Sequence, residues 1–188
     1  MLIFGTSIDQ VETTKAFLST KFSMKDMGQA DVILGIRIVR KGNSLSLVQS
    51  HYIEKILNKF HQHDSKPVST PYDESFKLTK NGGRPIAQLE YTKILGCLMY
   101  AMTSTRPDIA FAVGKLSRYS SNPGHSHWHA MRRVLKYLRG TMDYGISYSG
   151  NPSFLKGYLD ESWITNKEDY SYTIPWVFLL GGGVISWC

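Results

Sequence analysis

Hydrophobic periodicity changes once along this chain, and that change limits the fold most. From Ala87 to Arg139 the apolar residues recur at helical spacing; from Tyr144 onward they alternate with period two. Helices gathered in one run and strands in another define an α+β chain. The first helix runs over Ala87–Thr103, with Tyr91, Ile94, Leu95, Leu98 and Met99 on one face. Pro107 suits the first turn of the next, with Ile109, Ala112, Val113 and Leu116 facing inward. Asn122-Pro123-Gly124 breaks it, and a further helix spans Ser126 to Arg139, stopping at Gly140. Strands are predicted at Tyr144–Ser149, Phe154–Leu159, Thr173–Leu180 and Val184–Trp187, with Gly181-Gly182-Gly183 turning between the last two.

The preceding half is mixed. Leu2 to Phe4 read as a short buried strand. Ser7 then caps a helix, and Gln10 at its third position completes a capping box. Val11, Thr14, Phe17, Leu18 and Phe22 follow at helical spacing. Val32 to Val39 is one strand, rich in β-branched residues. Lys41-Gly42-Asn43 turns it into a second strand, Ser44 to Gln49, which makes a β-hairpin. Ser50 caps another helix, with Ile53, Ile56, Leu57 and Phe60 on its apolar side. Residues 61–85 hold Pro67, Pro71, Gly82, Gly83 and Pro85 and read as an extended linker. That is about twice the usual limit for a structureless connection.

Composition narrows the class. The 188 residues are 42% apolar and 20% charged, enough for one medium domain or two small ones. The cysteines, Cys97 and Cys188, lie 91 positions apart, which excludes a disulfide scaffold and a cysteine-based zinc site. No apolar run reaches the roughly 18 residues that a membrane helix needs. The longest, Ile174 to Ile185, carries three glycines. The apolar start at Met1 has no basic segment before it, so it is not read as a signal peptide. The expectation is a soluble intracellular protein, cytoplasmic and without a membrane partner.

Charge is uneven. Residues 1–156 carry 21 basic and 11 acidic side chains, whereas residues 157–188 carry one basic and four acidic. Ile109 to Met142 contains no acid, but holds Lys115, Arg118, Arg132, Arg133, Lys136 and Arg139 with Tyr119, Trp128 and Tyr137 among them. Such a stretch suits a nucleic-acid backbone, and equally an ordinary solvated helix face.

Few residues announce chemistry. Asp160-Glu161 is an adjacent acid pair at a strand end, but a metal-assisted nuclease needs three or four converging acids, so an exposed loop pair is the simpler reading. His125, His127 and His129 alternate without a third metal ligand and read as solvent-facing near a helix start. Gly181 to Gly183 has no following Lys-Ser/Thr, so it is no phosphate loop. Cys97 reads as core.

Several segments, taken in order, carry more. They are Leu2-Ile3-Phe4-Gly5, Leu34-Gly35-Ile36, Gln49-Ser50-His51-Tyr52-Ile53, Ser69-Thr70-Pro71, Gly96-Cys97-Leu98-Met99-Tyr100, Arg106-Pro107-Asp108-Ile109, His127-Trp128, Leu135 to Thr141, and Gly157-Tyr158-Leu159-Asp160. Their order and spacing resemble the pol polyprotein of copia-type LTR retrotransposons over essentially the whole chain. The resemblance implies a reverse transcriptase palm and thumb remnant over 1–60, the linker 61–85, a basic helical connection region over 86–142, and a truncated RNase H-like fragment over 143–188. It implies that the hairpin 32–49 lies where the primer end is positioned and that helix 50–60 belongs to the thumb. Leu34, Gly35 and Ile36 would then approach the primer, and Lys55, Lys59, Arg132, Arg133, Lys136 and Arg139 would contact phosphates. The partner would be an RNA–DNA hybrid, with the rest of the polyprotein where it is encoded.

The departures set expectations too. The family's Tyr-x-Asp-Asp motif lies directly before the position of Leu2, so its metal-holding aspartates fall outside Met1–Cys188. Asp160 matches the first RNase H acid and metal ligand, but the chain reads Asp160-Glu161-Ser162-Trp163-Ile164-Thr165 where the family usually reads Asp-Ala-Asp-Trp-Ala-Gly. Pro175 stands where the family usually has glycine, before Trp176. Mg²⁺ is implied by the family, without a productive site in this fragment. The expectation is a catalytically inactive piece of an RNA-directed DNA polymerase and RNase H. The alternatives are a non-catalytic basic nucleic-acid-binding module or a non-functional pseudogene product.

Overall fold

The structure is a computed structural model and describes residues 1, 3, 5, 7–150, 152–159 and 175–187. It is α+β, with α-helices and two antiparallel sheets. The chain divides into two compact units, Met1–Asp31 and Val32–Cys188. In the first, α1 (Ile8–Lys21) begins after Ser7 as expected. The Ser7 side chain makes no capping bond, however; its backbone oxygen instead accepts from the Val11 amide at 3.2 Å. No residue of α1 is buried, and Phe17 is 61% exposed. Lys15 joins Glu12 at 2.7 Å and Asp26 at 3.1 Å, which folds the following segment back on the helix. The strand expected at Leu2 to Phe4 cannot be placed, since Leu2 and Phe4 lie outside the described residues.

The second unit corrects the reading of Val32 to Val39 as one strand. The chain reverses at Leu34–Gly35, giving β1 (Val32–Ile33) and β2 (Ile36–Lys41), paired antiparallel with Ile33 opposite Ile36. Leu34 has φ +50° and Gly35 φ +76°. A two-residue turn with both central residues in the left-handed region matches the twist of its flanking strands, so the β-branched run folds on itself. The expected hairpin follows: β2 pairs with β3 (Ser44–Val48) across Gly42 and Asn43. A fourth strand, β4 (Gly145–Tyr148), pairs antiparallel with β3, Leu47 opposite Ile146, about a hundred residues later in the chain. The second sheet orders β5 (Lys156–Leu159), β6 (Trp176–Leu180) and β7 (Gly183–Trp187). Pro175 precedes the first paired residue of the central strand, so its missing N–H takes no bond from the ladder. The two sheets meet where the Tyr148 hydroxyl donates to the Val184 carbonyl at 2.9 Å and the Ser149 amide to the Gly181 carbonyl at 2.7 Å.

The core belongs to the helices. α2 (Ser50–Lys59), α3 (Gln88–Ser104), α4 (Ala110–Ser117, entered through a 3-10 turn at Pro107–Ile109) and α5 (His125–Gly140) bury one cluster. Leu57, Tyr91, Leu98, Ile109, Met131, Val134 and Leu138 are buried in it. Leu57, Tyr91, Leu98 and Ile109 are positions the helical periodicity marked, because apolar residues at that spacing share one face and gain by leaving water; Met99, marked with them, is instead exposed. Gln49, rather than Ser50, holds the cap position of α2; it is buried, and its Oε1 accepts from the Thr105 hydroxyl at 2.8 Å.

Residues 61–85 form no helix or strand, yet they are not a loose tether. Leu78 is buried in the helical core, with Val68 and Tyr72 packed against it. Asn81 and Asn122 exchange side-chain bonds: the Asn81 amide donates to Asn122 Oδ1 at 3.1 Å, and the Asn122 amide to the Asn81 carbonyl at 2.9 Å. The segment is a strap, irregular in backbone but held by side chains of α5 and of the loop before it.

Candidate nucleic-acid interface

The tip Leu34–Gly35 projects from the sheet. The Leu34 side chain is 83% exposed, while Ile36 is half-buried at the start of β2. The Tyr100 hydroxyl, on α3, donates to the Leu34 carbonyl. Tyr100 packs edge-on against Tyr52 of α2, with ring centroids 5.0 Å apart. Tyr52 in turn donates to the Cys97 carbonyl at 3.3 Å; burial first, and then the neighbouring Cys97, push its phenol up to about 12. The tip and α2 therefore meet the same stretch of α3. On α2, Lys55 and Lys59 are one helical turn apart and exposed, and Lys59 lies over the Phe60 ring at 5.3 Å.

The cations of α5 divide by task. Arg132 is exposed and Lys136 half-buried. Arg133 donates to the Thr70 hydroxyl at 2.9 Å and pairs with Asp73 at 3.3 Å. Bonds from Ser75, and then the Arg133 charge, hold the Asp73 carboxyl below the usual range. Arg139 donates to the His63 carbonyl at 2.5 Å. Arg133 and Arg139 thus fasten the strap to α5. The tip, α2 and α5 each carry residues named from the resemblance, and Asp160 lies outside the described residues.

The three alternating histidines need a correction. His125 and His129 are exposed, but His127 is fully buried. Two positions turn a helix by about 200°, so the middle histidine must point the other way. Its Nδ1 accepts from the Gly124 amide at 2.8 Å, which caps α5 and leaves the ring proton on Nε2. The ring stacks on Tyr119 at 4.1 Å, and burial pushes its pKa down.

Sequence reasoning passed over Arg106. It is 0% exposed, and its guanidinium clasps Asp108 at 2.7 and 2.9 Å and the Thr141 carbonyl and hydroxyl at 2.9 and 2.7 Å. The Tyr137 hydroxyl donates to the same carboxylate at 2.8 Å, and the Tyr137 and Tyr144 rings face the guanidinium at 5.6 and 5.7 Å. Burial alone would raise the Asp108 carboxyl; the bonds and charge of Arg106, aided by Tyr137, outweigh it and hold it below the ordinary range. This cluster clamps the start of α4 to the end of α5. Its signal was Arg106-Pro107-Asp108, since an arginine two residues from an acid in an apolar stretch needs a partner when buried.

Among the described residues no three His, Cys, Asp or Glu side chains converge where a metal ion could be held. None of the helices described is long and apolar enough to cross a membrane.

Residues 1–74 match the family model described as reverse transcriptase (RNA-dependent DNA polymerase). The whole chain is 41% identical to part of the retrovirus-related Pol polyprotein from transposon TNT 1-94 of Nicotiana tabacum, and covers 15% of it. It is 38% identical to part of the Pol polyprotein from transposon RE2 of Arabidopsis thaliana, covering 13%. An uncharacterized mitochondrial protein of Arabidopsis thaliana is 31% identical over the whole chain, which covers 78% of it. No solved structure matches. The chain thus spans about a seventh of the polyproteins it resembles. With 37–41% identity over its whole length to three such polyproteins, and residues 1–74 matching the reverse transcriptase model, the chain is similar to the retrovirus-related Pol polyproteins of transposons.

Proposed function

We propose that this chain grips an RNA–DNA template–primer and does not itself perform the metal-dependent chemistry. The observation that carries the reading is the Leu34–Gly35 tip: an exposed leucine held in a left-handed turn beside a helix bearing Lys55 and Lys59. Backbone strain in a non-glycine residue is kept where surrounding structure enforces it, commonly at contact sites. Lys55, Lys59, Arg132 and Lys136 supply charge for phosphates, which positions a duplex without reading its sequence. Arg133 and Arg139 contribute indirectly, through the strap. In this reading residues 1–60 are the palm and thumb part, 86–142 the connection, and 143–188 the start of an RNase H-like unit containing Asp160. In this reading Mg²⁺ belongs to the complete polyprotein, whose Tyr-x-Asp-Asp aspartates would hold it.

The test is hybrid binding across a salt series. A 20-base-pair-class RNA–DNA duplex should bind with a logarithmic salt slope of roughly −0.9 per phosphate contact. Replacing Lys55 and Lys59 together by glutamine should make that slope shallower by about two units. Binding that ignores salt, or the absence of binding, would overturn the reading.

A further inference from the structure

We propose that Tyr100 is the positioning residue of the Leu34–Gly35 tip, and that Tyr52 couples the tip to α2. The purpose of such positioning rests on the template–primer reading above; the geometry does not. Leu34 adopts φ +50°, a region that residues other than glycine, asparagine and aspartate seldom enter. Its side chain is 83% exposed, so packing of that side chain does not hold the conformation. What reaches the tip from outside the sheet is the Tyr100 hydroxyl, donated to the Leu34 carbonyl. The hydroxyl is itself fixed. The Tyr100 ring meets Tyr52 at 79°, and Tyr52 bonds to the Cys97 carbonyl three residues before Tyr100 on the same helix. A movement of α2 relative to α3 would therefore shift the hydroxyl and, through it, the tip. Helix α2 also carries Lys55 and Lys59, so phosphate contact and tip placement become one mechanical unit.

Tyr100→Phe keeps the ring and removes the bond. The readout is amide exchange at Ile36, which closes the turn opposite Ile33. Exchange there should quicken about fivefold, the effect of losing one net hydrogen bond, while β3 amides stay as in the parent chain and the thermal midpoint falls by no more than about 2–4 °C. Adding Leu34→Asn should restore protection, because asparagine tolerates the left-handed region without the tyrosine's help. With a hybrid present, Tyr100→Phe should weaken binding several-fold and leave the salt slope unchanged, since no cation is lost. Unchanged Ile36 exchange overturns the positioning role, whatever the hybrid does. A uniform quickening across the sheet overturns it too, because that marks general destabilisation. If the parent chain binds no hybrid, the template–primer reading fails, and the exchange experiment still decides the role of Tyr100.

Discussion

Arg106 is the residue whose environment departs furthest from what its type prefers. A fully buried guanidinium is tolerated only when its donors are used, and Asp108 and Thr141 use them. The pair also makes stability depend on acid. The Asp108 carboxyl sits below its ordinary value in the folded chain. The unfolded chain therefore binds the proton first as pH falls. The contribution is complete above the ordinary carboxylate value, near about 4, and is lost as pH falls through the lower folded value. Asp108→Asn should remove that acid-dependent part, so urea midpoints measured between pH 6 and 3 should fall less steeply than in the parent chain. A parallel fall in both would show that Asp108 is not the group responsible. Removing Arg106 instead, by Arg106→Ala, leaves a carboxylate without its cation and should cost about 3–5 kcal/mol. His127 illustrates the same scale in another way: a lone letter in a polar-looking triplet became a buried helix cap, because residue 127 falls on the inner side of α5.

Among the elements, the strap is the one whose character could not be read from pattern. Prolines and glycines over 61–85 correctly forbid helix and strand, but they say nothing about what the backbone lies against. The answer comes from residues far along the chain: Asn122 in the loop before α5 with Arg133 and Arg139 of α5 on the one hand, Asn81, Asp73 and His63 on the other. Asn122→Ala removes bonds to the Asn81 and Gly83 carbonyls at 2.9 and 3.2 Å and leaves the Asn81 amide only its bonds to the Arg84 and Gly83 carbonyls. It should cost about 1–3 kcal/mol and expose 61–85 to limited proteolysis, with cleavage there preceding cleavage in α3 or α5. Equal protease resistance in the two chains would mean that the strap is held elsewhere. The tip shows a second limit of pattern. Val32 to Val39 has the composition of one strand, yet Gly35 lets it reverse, and a tyrosine 66 positions away from Leu34 holds the reversal.

At the scale of the whole molecule, β4 closes the second unit by returning to the hairpin. Gly145 makes this possible. A Cβ there would stand 2.1 Å from the Leu47 carbonyl oxygen, a backbone atom that cannot move aside cheaply. Gly145→Ala should therefore separate β4 from β3 and cost about 1–3 kcal/mol, read as faster exchange at the β3 amides and a lower thermal midpoint. Unaltered β3 exchange would show that the strand pair absorbs the methyl group. Helices α2 to α5, most of the inward faces of α2 to α4, the hairpin at Gly42–Asn43 and the strands after Tyr144 were legible in the amino-acid order, since periodicity and turn residues act within a few positions. The order of the motif segments also carried the family. Which strand joins β3, where the strap lies, which of the α5 cations stay free of it, and why Leu34 turns left-handed were settled by packing. Each depends on a partner tens of residues away, and a contact of that range leaves no mark in local spacing.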